Sequence, residues 1–263
     1  MTDLVNEDLL QHIWQSIYAE VEQQALKEPM LASLFHTTVL NQDNFTAALA
    51  FQLSSKLSSG TVPGLIMNRE IQCVLARSPD IVECACLDLE ACFQRDPACD
   101  FYSTPFLYYK GYHALQAYRI THYLWQQQRY SLAYYLQNRI ASVFDVDIHP
   151  AAKLGHGIMI DHATAVVIGE TSIIGNNVSL LHSVSLGGCG IGPGKRHPTI
   201  GDGVLVSTGA KILGDVTVGV GAKIAAGSVV LGDVAAHTTV AGVPARAIGK
   251  PVDLHPSLHM NQL

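Results

Sequence analysis

TIGDGVLVSTGAKILGDVTVGVGAKIAAGSVV, residues 199–230, is the stretch whose reading decides the fold. Ile200, Val206, Ile212, Val218, Ile224 and Val230 stand six residues apart in it. Six is neither the 3.6-residue period of a helix nor the two-residue alternation of a lone strand. It is the period of a coil with three short strands per turn, each strand sending one aliphatic residue inward. Gly201, Gly219, Gly227 and Ala222 suit tight corners, where a bulky side chain would clash. Successive turns of such a coil stack at the ordinary strand spacing, about 4.8 Å.

Moving upstream, Ile148, Leu154, Ile160, Val166, Val178 and Val184 extend the period, and Ser172 breaks its aliphatic rule. Sixteen residues separate Val184 from Ile200, which is one hexapeptide and ten more. The excess predicts a loop over about Gly187–Thr199, reading GGCGIGPGKRHP at residues 187–198 and ending in three basic-type residues. Loops extruded from a rigid repeat tend to carry function.

Before residue 145 the texture is helical. Leu10, Ile13, Ile17 and Val21 recur at helical spacing. Ser78-Pro79 and Thr104-Pro105 read as N-caps followed by proline, the second opening a long helix to about Gln128. A further helix is expected over about Leu132–Ser142. The fold expected is α+β: an α-helical bundle over residues 1–144, a parallel β-helix over 145–250 with its extruded loop, and a short tail over 251–263.

Bulk properties narrow the function. With 48% hydrophobic and 14% charged residues, the chain builds a sizeable core rather than staying disordered. A net charge of -6 supplies no basic field for nucleic acid or an anionic membrane. The start, MTDLVNEDLL, lacks a basic n-region, and the apolar stretch near Ile224–Ala247 is interrupted by Gly, Asp, His and Pro. A cytoplasmic protein with no membrane span is therefore expected. Its six cysteines form no CxxC pair and read as reduced thiols.

The candidate chemistry begins in DIHPAAKLGHGIMIDHAT, residues 147–164, with Asp147, His149, His156, Asp161 and His162. Asp147 and His162 are fifteen residues apart, close to the eighteen of a three-strand coil, so both fall near one corner on adjacent turns. A carboxylate beside a histidine fixes its tautomer and stabilises the imidazolium, as a general base for a hydroxyl requires. By spacing alone, ordinary corner residues explain the pair equally well.

That segment, with SVSLGG (183–188), KRHPTIGDGV (195–204), GAKILGDVTVG (209–219) and AGVPAR (241–246), resembles the serine O-acetyltransferase family. EPMLASLFH (28–36), KLSS (56–59), RDPACDFYSTPFLYYKGYHALQAYRI (95–120) and LQNRIA (136–141) extend the resemblance over nearly the whole chain. The resemblance implies a left-handed β-helix and transfer of acetyl from acetyl-CoA, a co-substrate rather than a resident cofactor, to L-serine. It implies His162 as general base and Asp147 as its partner, in a ternary complex without an acyl-enzyme. It assigns Asp96 and Asp161 to the serine ammonium, and Arg196 and His197 to its carboxylate. Gly187 and Gly188 match the oxyanion donors; Gly188, Thr208, Gly209, Lys223, Ala226 and Arg246 match the acyl-CoA groove; no metal is implied. It further implies feedback inhibition by L-cysteine at the serine site, and a homotrimer paired into a hexamer. Relatives often end in Ile inserted into O-acetylserine sulfhydrylase, whereas this chain ends in Leu263. Cys189 reads as a small loop residue whose modification would block the site.

Three rival readings remain. One is a hexapeptide acetyltransferase for sugar or other hydroxyl acceptors; Asp96 with Arg196 and His197 favours an amino acid. A zinc lyase on the same coil would need histidine ligands, two usually spaced H-x4-H, and the β-helix histidines never show that spacing. A silent trimerisation module leaves the Asp147/His162 pair and the basic loop unexplained.

Overall fold

A computed structural model describes residues 7–190, 192 and 194–261. Eight α-helices lead: α1 Glu7–Lys27, α2 Ala32–Phe35, α3 Phe45–Leu57, α4 Gly64–Arg77, α5 Asp80–Arg95, α6 Ser103–Tyr108, α7 Lys110–Gln126 and α8 Tyr130–Phe144. In α1, Ile13, Ile17 and Val21 form one buried stripe, with Glu7 and Asp8 in its first turn and Lys27 in its last, matching the helix dipole. Asn44 caps α3, its side chain accepting from the Ala47 N–H at 2.9 Å.

Two helix boundaries depart from expectation. Ser78 donates to the Asp80 carboxylate at 2.5 Å instead of capping, and α5 begins after Pro79. The long helix expected from Thr104-Pro105 is two helices, broken at Tyr109, whose backbone is extended. The break lets the Tyr109 hydroxyl reach Asp96 and brings Gly111 against the β-helix. A Cβ at Gly111 would lie 2.0 Å from the Ile160 carbonyl oxygen, so only glycine permits this approach.

Three parallel sheets follow, one along each side of the coil. Sheet A holds β1 Val146–Ile148, β4 Val166–Ile168, β7 Ser185–Gly187, β10 Lys211–Leu213 and β13 Val229–Val230. Sheet B holds β2 Lys153–Leu154, β5 Ile173–Ile174, β8 Thr199–Ile200 and β11 Thr217–Val218. Sheet C holds β3 Met159–Ile160, β6 Ser179–Leu180, β9 Leu205–Val206, β12 Lys223–Ile224, β14 Thr239–Gly242 and β15 Ala245–Gly249. Only β15 runs antiparallel, folding back on β14.

The register corrects the hexapeptide count. Ile148 pairs with Ile168, Lys153 with Ile173 and Ile160 with Leu180, so the first turn takes twenty residues. Val167 pairs with Ser185, eighteen residues on. The two extra residues lie between Asp161 and Ala165, since Ala165, with φ 58°, takes the place of Ser183, whose N–H donates to the Thr164 carbonyl. Ile168, Ile174, Leu180 and Leu186 therefore continue the column of Ile148. Val166, Ser172, Val178 and Val184 belong to a second inward column with Ala152, Ala210 and Ser228, in which Ser172 is an ordinary small member. The loop excess is eight residues, not ten, because Leu186 pairs with Ile212 across twenty-six.

The helices bind the first turn through a buried cluster. Asp88 accepts from Arg119 (2.7 Å), Gln116 (3.0 Å) and the Ile158 N–H (2.8 Å), while Arg119 donates to the Gly155 carbonyl (2.8 Å). The chain closes with α9, Pro256–His259, against sheet C. There Ser257 donates to the Asn177 carbonyl (2.5 Å), and Ser179 donates to the Ser257 carbonyl (2.9 Å). No described helix is long and apolar enough to cross a membrane.

Candidate active site

Two corners of the coil flank sheet A and collect nearly all the expected groups. The first lies between sheets C and A. Here Asp161 and His162 end β3, and His162 is held at φ 56°, a left-handed backbone unusual for a side chain of its size. The two-residue insertion falls here, and the segment that reaches Ala165 is tied from outside the coil. Lys110 donates to the Thr164 hydroxyl at 2.6 Å, and the Ala165 N–H donates to the Asp145 carbonyl at 2.9 Å. His162 Nε2 stands 3.8 Å from the Asp161 carboxylate, and its side chain is 72% exposed.

Asp96, at the C-terminal end of α5, faces the same corner. Its carboxylate accepts from the Tyr109 hydroxyl (2.6 Å) and the Ala98 N–H (2.9 Å). A cleft of about 480 Å³ opens between Asp96, Asp161, Leu181 and the α9 residues Leu258 and His259. Burial raises the Asp161 carboxyl above the ordinary range; His162 opposes that, and the nearby charge of Asp96 adds to it. Two carboxylates sharing a half-buried cleft make a site for an ammonium group, which relieves their repulsion.

Successive turns repeat this corner as a column: His162, His182, Thr208, Ala226. The next column runs Ala165, Ser183, Gly209, Gly227, all with positive φ. The expected acyl-CoA residues Thr208, Gly209 and Ala226 thus stand directly along the coil from His162.

The second corner lies between sheets A and B and carries the extruded loop. Arg196 forms an ion pair with Glu170. The Thr171 hydroxyl accepts from the backbone N–H of both Arg196 and His197 (3.0 Å each) and contacts His197 Nδ1 (2.9 Å). His197 is buried on glycine: a Cβ at Gly169 would stand 2.0 Å from its ring and one at Gly188 2.9 Å. Burial first, and then Arg196, lower its proton affinity below the usual histidine value. His197 is therefore a neutral donor beside Arg196, not a second cation of a fork. The Thr171 N–H donates to Nδ1 at 3.3 Å, which leaves the ring proton on Nε2.

The remaining expected residues are dispersed. Asp147 faces outward on β1, where Gln137 donates to it at 2.7 Å; it makes no ion pair with His162 within 4.0 Å. Gly187 ends β7, Gly188 follows under His197, and Arg246 is exposed on β15. Lys223 lies on sheet C, buried, with Asp253 partly offsetting the lowering of its proton affinity by burial; it does not join Thr208 and Gly209 at their corner. Cys189 is exposed, its N–H donating to the Arg196 carbonyl at 3.2 Å. His149 is packed, its ring 5.1 Å from Trp125 and 5.9 Å from Tyr134. Leu263 lies outside the described residues.

Residues 13–117 match the family model for the serine acetyltransferase N-terminal region. The serine acetyltransferase of Haemophilus influenzae is 52% identical over 250 residues, covering 95% of this chain and 94% of that one. The crystal structure of the Vibrio cholerae enzyme superposes with TM-score 0.95 at 50% identity, covering 96% and 98% of the two chains. A serine acetyltransferase solved in complex with cysteine gives TM-score 0.94 at 51% identity, covering 96% and 98%. Another solved in complex with CoA gives 0.87 at 52%, covering 91% and 100%. The solenoid is accordingly the left-handed parallel β-helix of those structures. The chain belongs to the serine acetyltransferase family and is an acyltransferase that draws its acetyl group from acetyl-CoA.

Proposed function

We propose that this protein acetylates the hydroxyl of L-serine by direct attack, with His162 as the general base. The observation that carries the reading is the corner column in which His162 continues into Thr208 and Ala226, beside the acidic cleft of Asp96 and Asp161. An ammonium bound between those carboxylates presents the serine hydroxyl to His162. An acyl donor laid along the column presents its thioester to the same imidazole. The hydroxyl oxygen bonds to the acetyl carbon as its proton passes to His162. The C–S bond of the tetrahedral adduct then breaks, and the departing thiolate takes that proton, giving O-acetyl-L-serine and CoA. Asp147 is proposed as the orienting carboxylate, and the N–H groups of Gly187 and Gly188 as the oxyanion donors.

Sheet A supports an assembly. Its strands β4 and β7 are three residues long, roughly 10 Å, and they separate the acidic corner from Arg196 and His197. One free amino acid is too short to bridge them. A trimer in which each subunit offers its A–B corner to its neighbour's C–A corner completes the site, and hexamer formation through the helices follows the family resemblance. L-cysteine carries the same two charged ends as serine and is proposed to compete there. The resemblance also supports a role that opens cysteine synthesis in the cytoplasm, with O-acetylserine sulfhydrylase as a candidate partner through the tail.

The test is release of free thiol from acetyl-CoA. Release that requires L-serine and yields O-acetylserine by mass supports the reading. Release with sugars alone, or with no acceptor tried, sinks it.

A further inference from the structure

The column holding His162 contains a second imidazole that the reaction above leaves unused. The ring of His182 meets that of His162 edge to face, with centroids 5.7 Å apart and planes at 75°. His182 Nε2 lies 2.7 Å from the Thr208 hydroxyl oxygen, and that hydroxyl also lies 3.3 Å from the His182 carbonyl. One assignment of the protons satisfies both contacts. The hydroxyl donates to the carbonyl, so its oxygen accepts from Nε2–H. His182 Nδ1 is buried without a hydrogen-bond partner, the less costly state being a bare lone pair rather than a stranded N–H. His162 itself is 72% exposed and has no hydrogen-bonded carboxylate, only Asp161 at 3.8 Å. Beside the orienting role proposed for Asp147, which lies beyond ion-pair distance of His162 within one protomer, the only ring in contact with His162 among the described residues is that of His182.

We propose that His182 is a positioning residue for His162, and that Thr208 serves the reaction by locking His182 rather than only by lining the acyl-donor groove. The inference rests on His162 being the base. Thr208 fixes the tautomer and rotation of His182, and the His182 edge fixes the His162 imidazole where the serine hydroxyl arrives. A misplaced catalytic group loses rate while leaving substrate binding intact, so the signature is in kcat.

The test is a set of variants of the full chain, read as kcat and as separate KM values for L-serine and acetyl-CoA. His182→Ala is expected to lower kcat about tenfold with both KM values unchanged within about twofold. Thr208→Val and His182→Phe keep shape but remove the hydrogen bond, and each is expected to lower kcat about threefold. The Thr208→Val/His182→Ala double variant should match His182→Ala alone, because the two act in series. Combined with His162→Ala, His182→Ala should add nothing. Unchanged kcat in His182→Ala, a loss confined to the acetyl-CoA KM, or additive losses in the double variant overturns the inference. If His182→Ala does not fold, unchanged kcat in Thr208→Val overturns it alone. Full activity in His162→Ala defeats the base assignment; an inactive His162→Ala beside a fully active His182→Ala defeats only the role given to His182.

Discussion

At the C–A corner the reacting groups are held from outside the coil: Tyr109 on Asp96, Lys110 on Thr164, and the Asp145 carbonyl on Ala165. At the A–B corner they are held by the coil itself, where the Thr171 hydroxyl takes two loop N–H groups and glycine makes room for the His197 ring. The first corner is acidic and depends on the helical half being docked. The second is basic and depends on one half-buried hydroxyl. A bare hexapeptide coil lacks this acceptor site because one of its two carboxylates, Asp96, comes from the helices.

The largest effect is expected at His162. His162→Ala should cut turnover about 10²–10⁴-fold while calorimetry shows acetyl-CoA binding retained. Deleting Ala163 and Thr164, which restores an eighteen-residue turn and keeps Ala165 at its corner, should approach the same loss with the β-sheet circular dichroism unchanged. Normal turnover in the deletion would show that the insertion does not present His162.

A smaller effect is expected at the basic corner. Arg196→Ala should raise the serine KM about 10–100-fold, the worth of one charge-assisted hydrogen bond, with little change in the KM for acetyl-CoA. Equal effects on both substrates would remove Arg196 from the serine site.

The acidic corner is open to a pH test. Because the Asp161 carboxyl is raised, it takes up its proton at a pH where an ordinary carboxylate is still ionised. As pH falls, the cleft loses negative charge and grips ammonium less well. The acid limb of kcat/KM for serine should therefore lie above the ordinary carboxylate range and disappear in Asp161→Asn, whose KM is already raised. A limb that persists in that variant belongs to another group. The mildest change is Thr171→Val, expected to raise the serine KM several-fold by releasing two loop N–H groups, each worth about 1 kcal/mol, while kcat stays within about threefold. A fall in kcat without a change in KM would place Thr171 in the chemistry instead.

The repeat itself was legible in the sequence, since Ile200 to Val230 keep a period of six and all turn inward. The two-residue slip before Ala165 was not, for a physical reason. Each strand sends two residues inward, two apart, and both columns accept valine. A count of aliphatic residues therefore passes over a two-residue shift, leaving only the anomaly at Ser172. The acidic and basic residues were found through the resemblance. Thr171, Gln137, Tyr109 and Lys110 were missed because their contacts span distant sequence with no local pattern; for Thr171 the single clue is its spacing of twenty-six from His197, one looped turn. His182 was within reach, at twenty residues from His162 in a turn of twenty.

The register has a wider consequence. The first turn gains two residues, the looped turns gain eight, and Ile224 meets Val240 after only sixteen, yet each following strand settles onto the one beneath it. A solenoid thus absorbs length changes at a corner without passing them on, unlike a barrel or sandwich, where an added residue shifts a whole strand. Novelty in such a chain is written as spelling changes in length at its corners. Chains of this architecture are best compared turn by turn, with gaps placed at corners, because a comparison that penalises every gap equally obscures the two insertions that build this site.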